Sequence, residues 1–150
     1  MPRILVVDDE EAVRRVLHSL LKKEGYEVIE AEDGRMGVEL AKKEDPDVIL
    51  MDLRMPVMDG LKACRLIKED EKTKNIPVLV ITAVSGESKR EAIDAGIDDF
   101  VNKPFDAEEI SIRVKSMLKI KKLTDELERV FAYVEGVDKQ TKGNFRTDKS

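Results

Sequence analysis

The chain has 150 residues, 41% of them apolar and 39% charged, which is enough to build one domain with a core and too polar for a membrane-spanning segment. A net charge of −5 removes any general attraction to nucleic acid or to an anionic membrane, so the expected partners are proteins. The lone Cys64 excludes an internal disulfide, and Met1 leads straight into a strand without the basic, apolar, small-residue progression of a signal peptide, so a reducing cytoplasm is expected.

The first element is a short β-branched run at 4–7, closed by Asp8 and Asp9. Runs this short and this apolar read as buried parallel strands. A helix follows, with Val13, Val16, Leu17, Leu20 and Leu21 at helical spacing as its packing face and Gly25 as its stop. Further strand-like runs occupy 26–29, 48–51, 78–81 and 98–101. Helices are expected at about 34–43, 60–68 and 87–95, with Asp59 capping the second of these and Gly96 closing the last. Asp45-Pro46 and Asn75-Ile76-Pro77 mark turns into strands. The repeated βα unit predicts an α/β fold: a doubly wound, five-stranded parallel sheet with helices on both faces. Strand order 2-1-3-4-5 would bring the ends of strands one and three together, and with them Asp8, Asp9 and Asp52. Three carboxylates with one nearby lysine sum to about −2, a charge that a divalent cation with hard oxygen ligands balances. Mg²⁺ is the first expectation, with Mn²⁺ or another divalent ion as a substitute.

Four pieces of sequence then carry a resemblance. They are Val6-Val7-Asp8-Asp9-Glu10; the run Met51-Asp52-Leu53-Arg54-Met55-Pro56-Val57-Met58-Asp59-Gly60; Ile81-Thr82-Ala83; and Asn102-Lys103-Pro104-Phe105. In this order, each at a strand end, they resemble the receiver domain of two-component response regulators, a flavodoxin-like fold, from Arg3 to about Leu118. The resemblance implies that Asp52 accepts a phosphoryl group from a phosphohistidine on a sensor histidine kinase or phosphotransfer protein. Asp9, Asp52 and the backbone carbonyl of Arg54 would bind Mg²⁺ directly, with Asp8 acting mostly through water. Lys103 would pair with the carboxylate and then with the phosphoryl group, and family members commonly hold the bond before the residue matching Pro104 in cis. Thr82 would be the switch hydroxyl, with Ala83 beside it leaving room for the phosphoryl group, and Phe100 the switch aromatic. Because Phe100 lacks a hydroxyl, its rotation would be read out by shape and burial. Arg54 stands where family members vary, and its guanidinium can shield or hold the phosphate. Such a protein is no enzyme beyond catalysing its own phosphorylation and dephosphorylation.

Read without the resemblance, Thr82 could simply satisfy backbone groups, Phe100 could be plain core, and Lys103-Pro104 could be a loop before a helix capped by Asp106. His18 lies off the apolar stripe with no second His or Cys nearby, and is expected as solvated surface. Cys64 reads as a small buried hydrophobe. No glycine-rich phosphate loop is present in the sequence.

The last helix, opening near Asp106, carries two stripes. Ile110, Val114, Met117 and Leu118 should pack on the sheet, while Ile120, Leu123, Leu127, Val130 and Val134 alternate spacings of three and four, the seam of a short coiled coil and a route to a homodimer. The expected organisation is a receiver at 1–120, a helical extension or linker at 121–135 and a polar, flexible tail at 136–150. The stretch 113–127 resembles linkers that join receivers to diguanylate cyclase or HD-type phosphodiesterase domains, so a regulatory fragment of a cyclic-dinucleotide enzyme is the alternative. A metal-dependent phosphatase is a rival that the spacing disfavours, since its nucleophile would follow the first strand with a second aspartate two residues on. No helix-turn-helix or basic patch supports direct binding to nucleic acid.

Overall fold

A computed structural model describes residues 1–83 and 86–149, with side chains placed as far as Gly136. The strands are β1 (Arg3–Val7), β2 (Glu27–Ala31), β3 (Val48–Met51), β4 (Val78–Thr82) and β5 (Asp99–Asn102). The helices are α1 (Glu11–Lys23), α2 (Gly34–Glu44), α3 (Gly60–Glu69), α4 (Glu87–Asp94) and α5 (Ala107–Lys149). All neighbouring strands pair in parallel, in the order β2-β1-β3-β4-β5. The expected elements and strand order are all present, with boundaries moved by two residues or fewer except at the end of α5, which runs to Lys149 rather than giving way to a tail after 135.

Strand residues alternate between two cores. Leu5, Val7, Ile49, Met51, Val78 and Val80 face α2, α3 and α4, while Ile4, Val6, Val48, Leu50, Leu79 and Ile81 face α1 and α5. Burial on both faces is why these strands read as continuous apolar runs. Three helices begin at side-chain caps: Asp33 accepts a hydrogen bond from the Met36 N–H and Asp59 from the Lys62 N–H, each at 2.8 Å, and Asp106 accepts one from the Glu108 N–H at 3.1 Å. The stripe expected on α1 needs one correction: Leu17 and Leu21 are buried, but Val16 is exposed. At about 100° per residue Val16 lies some 140° around the helix from Leu21, too far for both to reach one sheet.

Helix α5 buries Ile110, Val114 and Met117 against the sheet and then continues beyond it. Past this point Ile120, Leu123, Leu127, Val130 and Val134 are all exposed. The extension is tied back to the domain where Glu128 accepts a hydrogen bond from Asn75 in the loop before β4. The polar stretch expected as a tail lies, apart from Gly136, outside the residues whose side chains are described. Among the described residues no helix is long and apolar enough to cross a membrane.

Candidate functional site at the carboxyl edge of the sheet

Register decides what meets at this edge. Val7 is paired with Met51, so Asp8 and Asp52 step out of β1 and β3 side by side, at the point where the chain leaves the two strands toward opposite faces. Their backbones are pinned: the Asp8 N–H donates to the Ala31 carbonyl at 3.1 Å and the Asp52 N–H to the Val7 carbonyl at 3.0 Å. Asp8 and Asp52 are only 2% and 5% exposed, whereas Asp9 and Glu10 stand open to solvent. A carboxylate oxygen from each of these four residues falls within 4.8 Å of the others.

One cation faces this cluster from β5. Thr82 is opposite Asn102, so the next residue, Lys103, emerges beside the site, and its N–H donates to the Thr82 carbonyl at 3.0 Å. Lys103 Nζ lies 2.9 Å from Asp8 Oδ2, 3.2 Å from Asp52 Oδ2 and 3.6 Å from Glu10 Oε1. The Lys103–Pro104 peptide is cis. Burial pushes the Asp8 carboxyl above its usual range, against the opposing pull of the Glu10 N–H and of Lys103. For Lys103 burial pulls downward, but the hydrogen bond to Asp8 and the charges of Asp52 and Asp8 outweigh it and hold the ammonium above its usual value. Four carboxylates against one ammonium leave the site short of positive charge, and hard oxygen donors of this kind suit Mg²⁺ or Mn²⁺. The donor set therefore fits the expected ion.

The remaining expected residues border the same edge. Arg54 is exposed and its N–H donates to Asp52 Oδ1 at 3.3 Å. Thr82 is fully buried at the end of β4 and Ala83 is exposed just beyond it. Phe100 is half-buried and packs with the core under α3 and α4. By strand alternation Thr82 continues the face of Val78 and Val80, and Phe100 is paired with Val80, so Thr82 and Phe100 share one face of the sheet. Two participants were missed. Glu10 joins the acidic cluster, a role the Asp8-Asp9-Glu10 run could have signalled; Arg14 donates to the Asp8 carbonyl at 2.6 Å, which helical spacing from Glu10 alone does not reveal. His18 is more than solvated surface: its Nδ1 lies 2.9 Å from Glu30, which also pairs with Arg14. Cys64 is buried in apolar surroundings as expected, and its thiol is pushed up to about 12.

A buried aspartate pair and a lysine, gathered where a doubly wound parallel sheet reverses, define a phosphoryl- or cation-handling edge. The chain belongs to the response regulator receiver domain family, whose sequence description matches residues 4–115. It is 44% identical over 126 residues to the response regulator PleD of Caulobacter vibrioides, covering 83% of this chain and 28% of that protein. It is 42% identical over 120 residues to the DNA-binding regulator RpaA of Synechocystis, covering 79% of this chain and 50% of that one. The chain thus spans half the length of these relatives or less. Among solved structures it resembles the chemotaxis protein CheY4 of Vibrio cholerae at 34% identity, with a TM-score of 0.74 over 79% of this chain and 99% of that one. The receiver domain of the sensor histidine kinase PA1611 from Pseudomonas aeruginosa, described with a magnesium ion in its active-site cleft, matches at 33% identity and the same TM-score, over 79% of this chain and 98% of that one.

Proposed function

We propose that this receiver is a phosphorylation switch with Asp52 as phosphoacceptor. The observation that carries the reading is Lys103 Nζ bridging the buried Asp8 and Asp52 carboxylates beneath a four-carboxylate cluster. An Asp52 carboxylate oxygen attacks phosphorus on a phosphohistidine of a kinase or phosphotransfer partner. The phosphorus–nitrogen bond breaks, its electron pair leaves with the imidazole, and an aspartyl phosphate forms. In such a transfer the protein mainly positions groups and neutralises charge on the equatorial oxygens. A bound Mg²⁺ would be held by Asp9, Asp52 and the Arg54 carbonyl, with Asp8 reaching it through water, and would supply charge neutralisation. Lys103 exchanges its Asp52 partner for a phosphoryl oxygen. Thr82 hydrogen-bonds another, and Phe100 repacks in the space that Thr82 vacates. We place the chain in the cytoplasm with its phosphodonor.

The exposed stripe on α5 supports a homodimer as the output. Ile120, Leu127 and Val134 fall at one seam position and Leu123 and Val130 at the other, a pattern that a second copy of the same helix matches. The chain covers only part of its relatives, which favours as a second reading that α5 connects the receiver to a further domain, a cyclic-dinucleotide enzyme among the candidates.

The test is incorporation of phosphate from a small acyl phosphate in Mg²⁺, with light scattering before and after. Wild type should be labelled and Asp52→Asn should not. Chelating the metal should stop labelling, and labelling should drive association. Unchanged labelling of Asp52→Asn would overturn the acceptor assignment, and steady turnover of a phosphate ester would revive the phosphatase reading.

A further inference from the structure

Helix α4 places a cation over the ring of the aromatic assigned to the switch. Lys89 Nζ lies 4.7 Å from the centroid of the Phe100 ring. Among the described residues Lys89 makes no ion pair, although α4 carries carboxylates on both sides of it. Lys89 is itself half-buried, and the attraction between an ammonium and a ring face strengthens wherever water is kept from between them.

Phe100 has no hydroxyl, so two things set its position: how much of the ring is buried and what its face touches. Moving further into the core under α3 and α4 gains apolar burial. That movement forfeits the ammonium. We propose that Lys89 is a positioning residue for Phe100: it holds the ring in its half-exposed place and so sets the resting side of the equilibrium that phosphorylation shifts. The proposal rests on the phosphoacceptor reading above. A cation–π contact at such a site changes a two-state ratio by about two- to fivefold, and the apparent affinity of any ligand that selects the other state changes by a similar factor.

The sign of the effect separates this role from general electrostatics. Removing a cation near the site should weaken the binding of an anion through charge alone, whereas removing the restraint on Phe100 should tighten it. The experiment is titration of the whole chain with beryllium fluoride in Mg²⁺, as a mimic of the acyl phosphate, with the aromatic resonances of Phe100 followed by NMR. Lys89→Met keeps the aliphatic stem; it should bind about two- to fivefold more tightly, and the ring signals of the free protein should move toward their bound positions. Lys89→Arg keeps a cation over the ring and should behave as wild type. In a Phe100→Leu background, Lys89→Met should gain nothing. Equal or weaker binding by Lys89→Met, or the same gain in the Phe100→Leu background, would overturn the proposal. If those results came with binding that Asp52→Asn abolishes, the phosphoacceptor reading would stand and only the role of Lys89 would fall. If wild type showed no binding at all, both would fall together.

Discussion

The two faces of the sheet are built differently. Under α1 and α5 the buried side chains are large aliphatics, among them Leu17, Leu21, Ile110, Val114 and Met117. Under α2, α3 and α4 the buried helix residues are mostly small: Ala41, Ala63, Cys64 and Ala92, with Gly34, Gly37 and Gly60 at or near helix starts. Large side chains keep a helix at a distance and bury area, whereas small ones let backbones touch. The loop carrying Asp52 returns into α3 on the small-residue side, and Thr82 and Phe100 lie on that side too. One face therefore supplies bulk stability, and the other supplies exact placement and room for side chains to move.

The sharpest way to break this contrast is at Gly60. A Cβ there would overlap the backbone carbonyl of Asp52, a clash that no rotamer change relieves. Gly60→Ala should cost roughly 3 kcal/mol or more and should also displace Asp52, the proposed acceptor, so unfolding midpoint and phosphate incorporation fall together. On the other face, Leu17→Ala should cost a similar ~3 kcal/mol through the cavity it leaves, yet in conditions where the variant is folded it should accept phosphate as wild type does. Equal loss of phosphate incorporation in both variants would mean that the two faces do not divide the work.

Cys64 probes the dryness of the small-residue face. Its thiol is raised from 9.0 to about 12, with burial the largest cause. A raised acid favours the protonated form in the folded state, so its contribution to stability is whole below pH 9.0 and is lost as pH rises toward about 12. The slope is about 1.4 kcal/mol per pH unit within that window. Urea titrations of wild type and Cys64→Ala between pH 8 and 10 should show the variant losing less stability, by about 1.4 kcal/mol over the whole range, because the full slope is reached only above pH 9.0. Parallel slopes would place water beside the thiol.

Much of this was legible in the sequence because each signal was local. Runs at 48–51 and 78–81 read as buried strands, Asp59 and Asp106 stood where helices need caps, and the aspartates closed strands whose order brings them together. What stayed hidden depends on distances between elements. Nothing local in α1 says that the sheet takes Leu17 and Leu21 and leaves Val16 outside. Nothing local in α4 says that Lys89 reaches a ring on β5, or in α5 that Glu128 meets Asn75 across 53 positions of chain. The acidic cluster was seen one member short because Glu10 also reads as an ordinary first-turn residue.

The smallest effect concerns the loop between Asp52 and α3. Val57 has φ +69, and the Met58 N–H donates to the Pro56 carbonyl at 2.8 Å, which closes a γ-turn around it. A positive φ is unfavourable for any L-residue, and most of all for a β-branched one, at a cost of about 1–3 kcal/mol. Val57 does not offset this by packing, since it is 78% exposed. Glycine removes the steric cost but gives back part of the gain as extra freedom in the unfolded chain, about 0.5–1 kcal/mol. Val57→Gly should therefore raise stability by about 1 kcal/mol, or roughly 2–4 °C in Tm for a chain of this size. Val57→Ala keeps a Cβ in the same strained turn and should gain less. A Val57→Gly variant less stable than wild type would show that the exposed valine makes a contact that holds the loop after Asp52 in place, and the small-residue face would then owe its exact placement partly to a side chain outside the core.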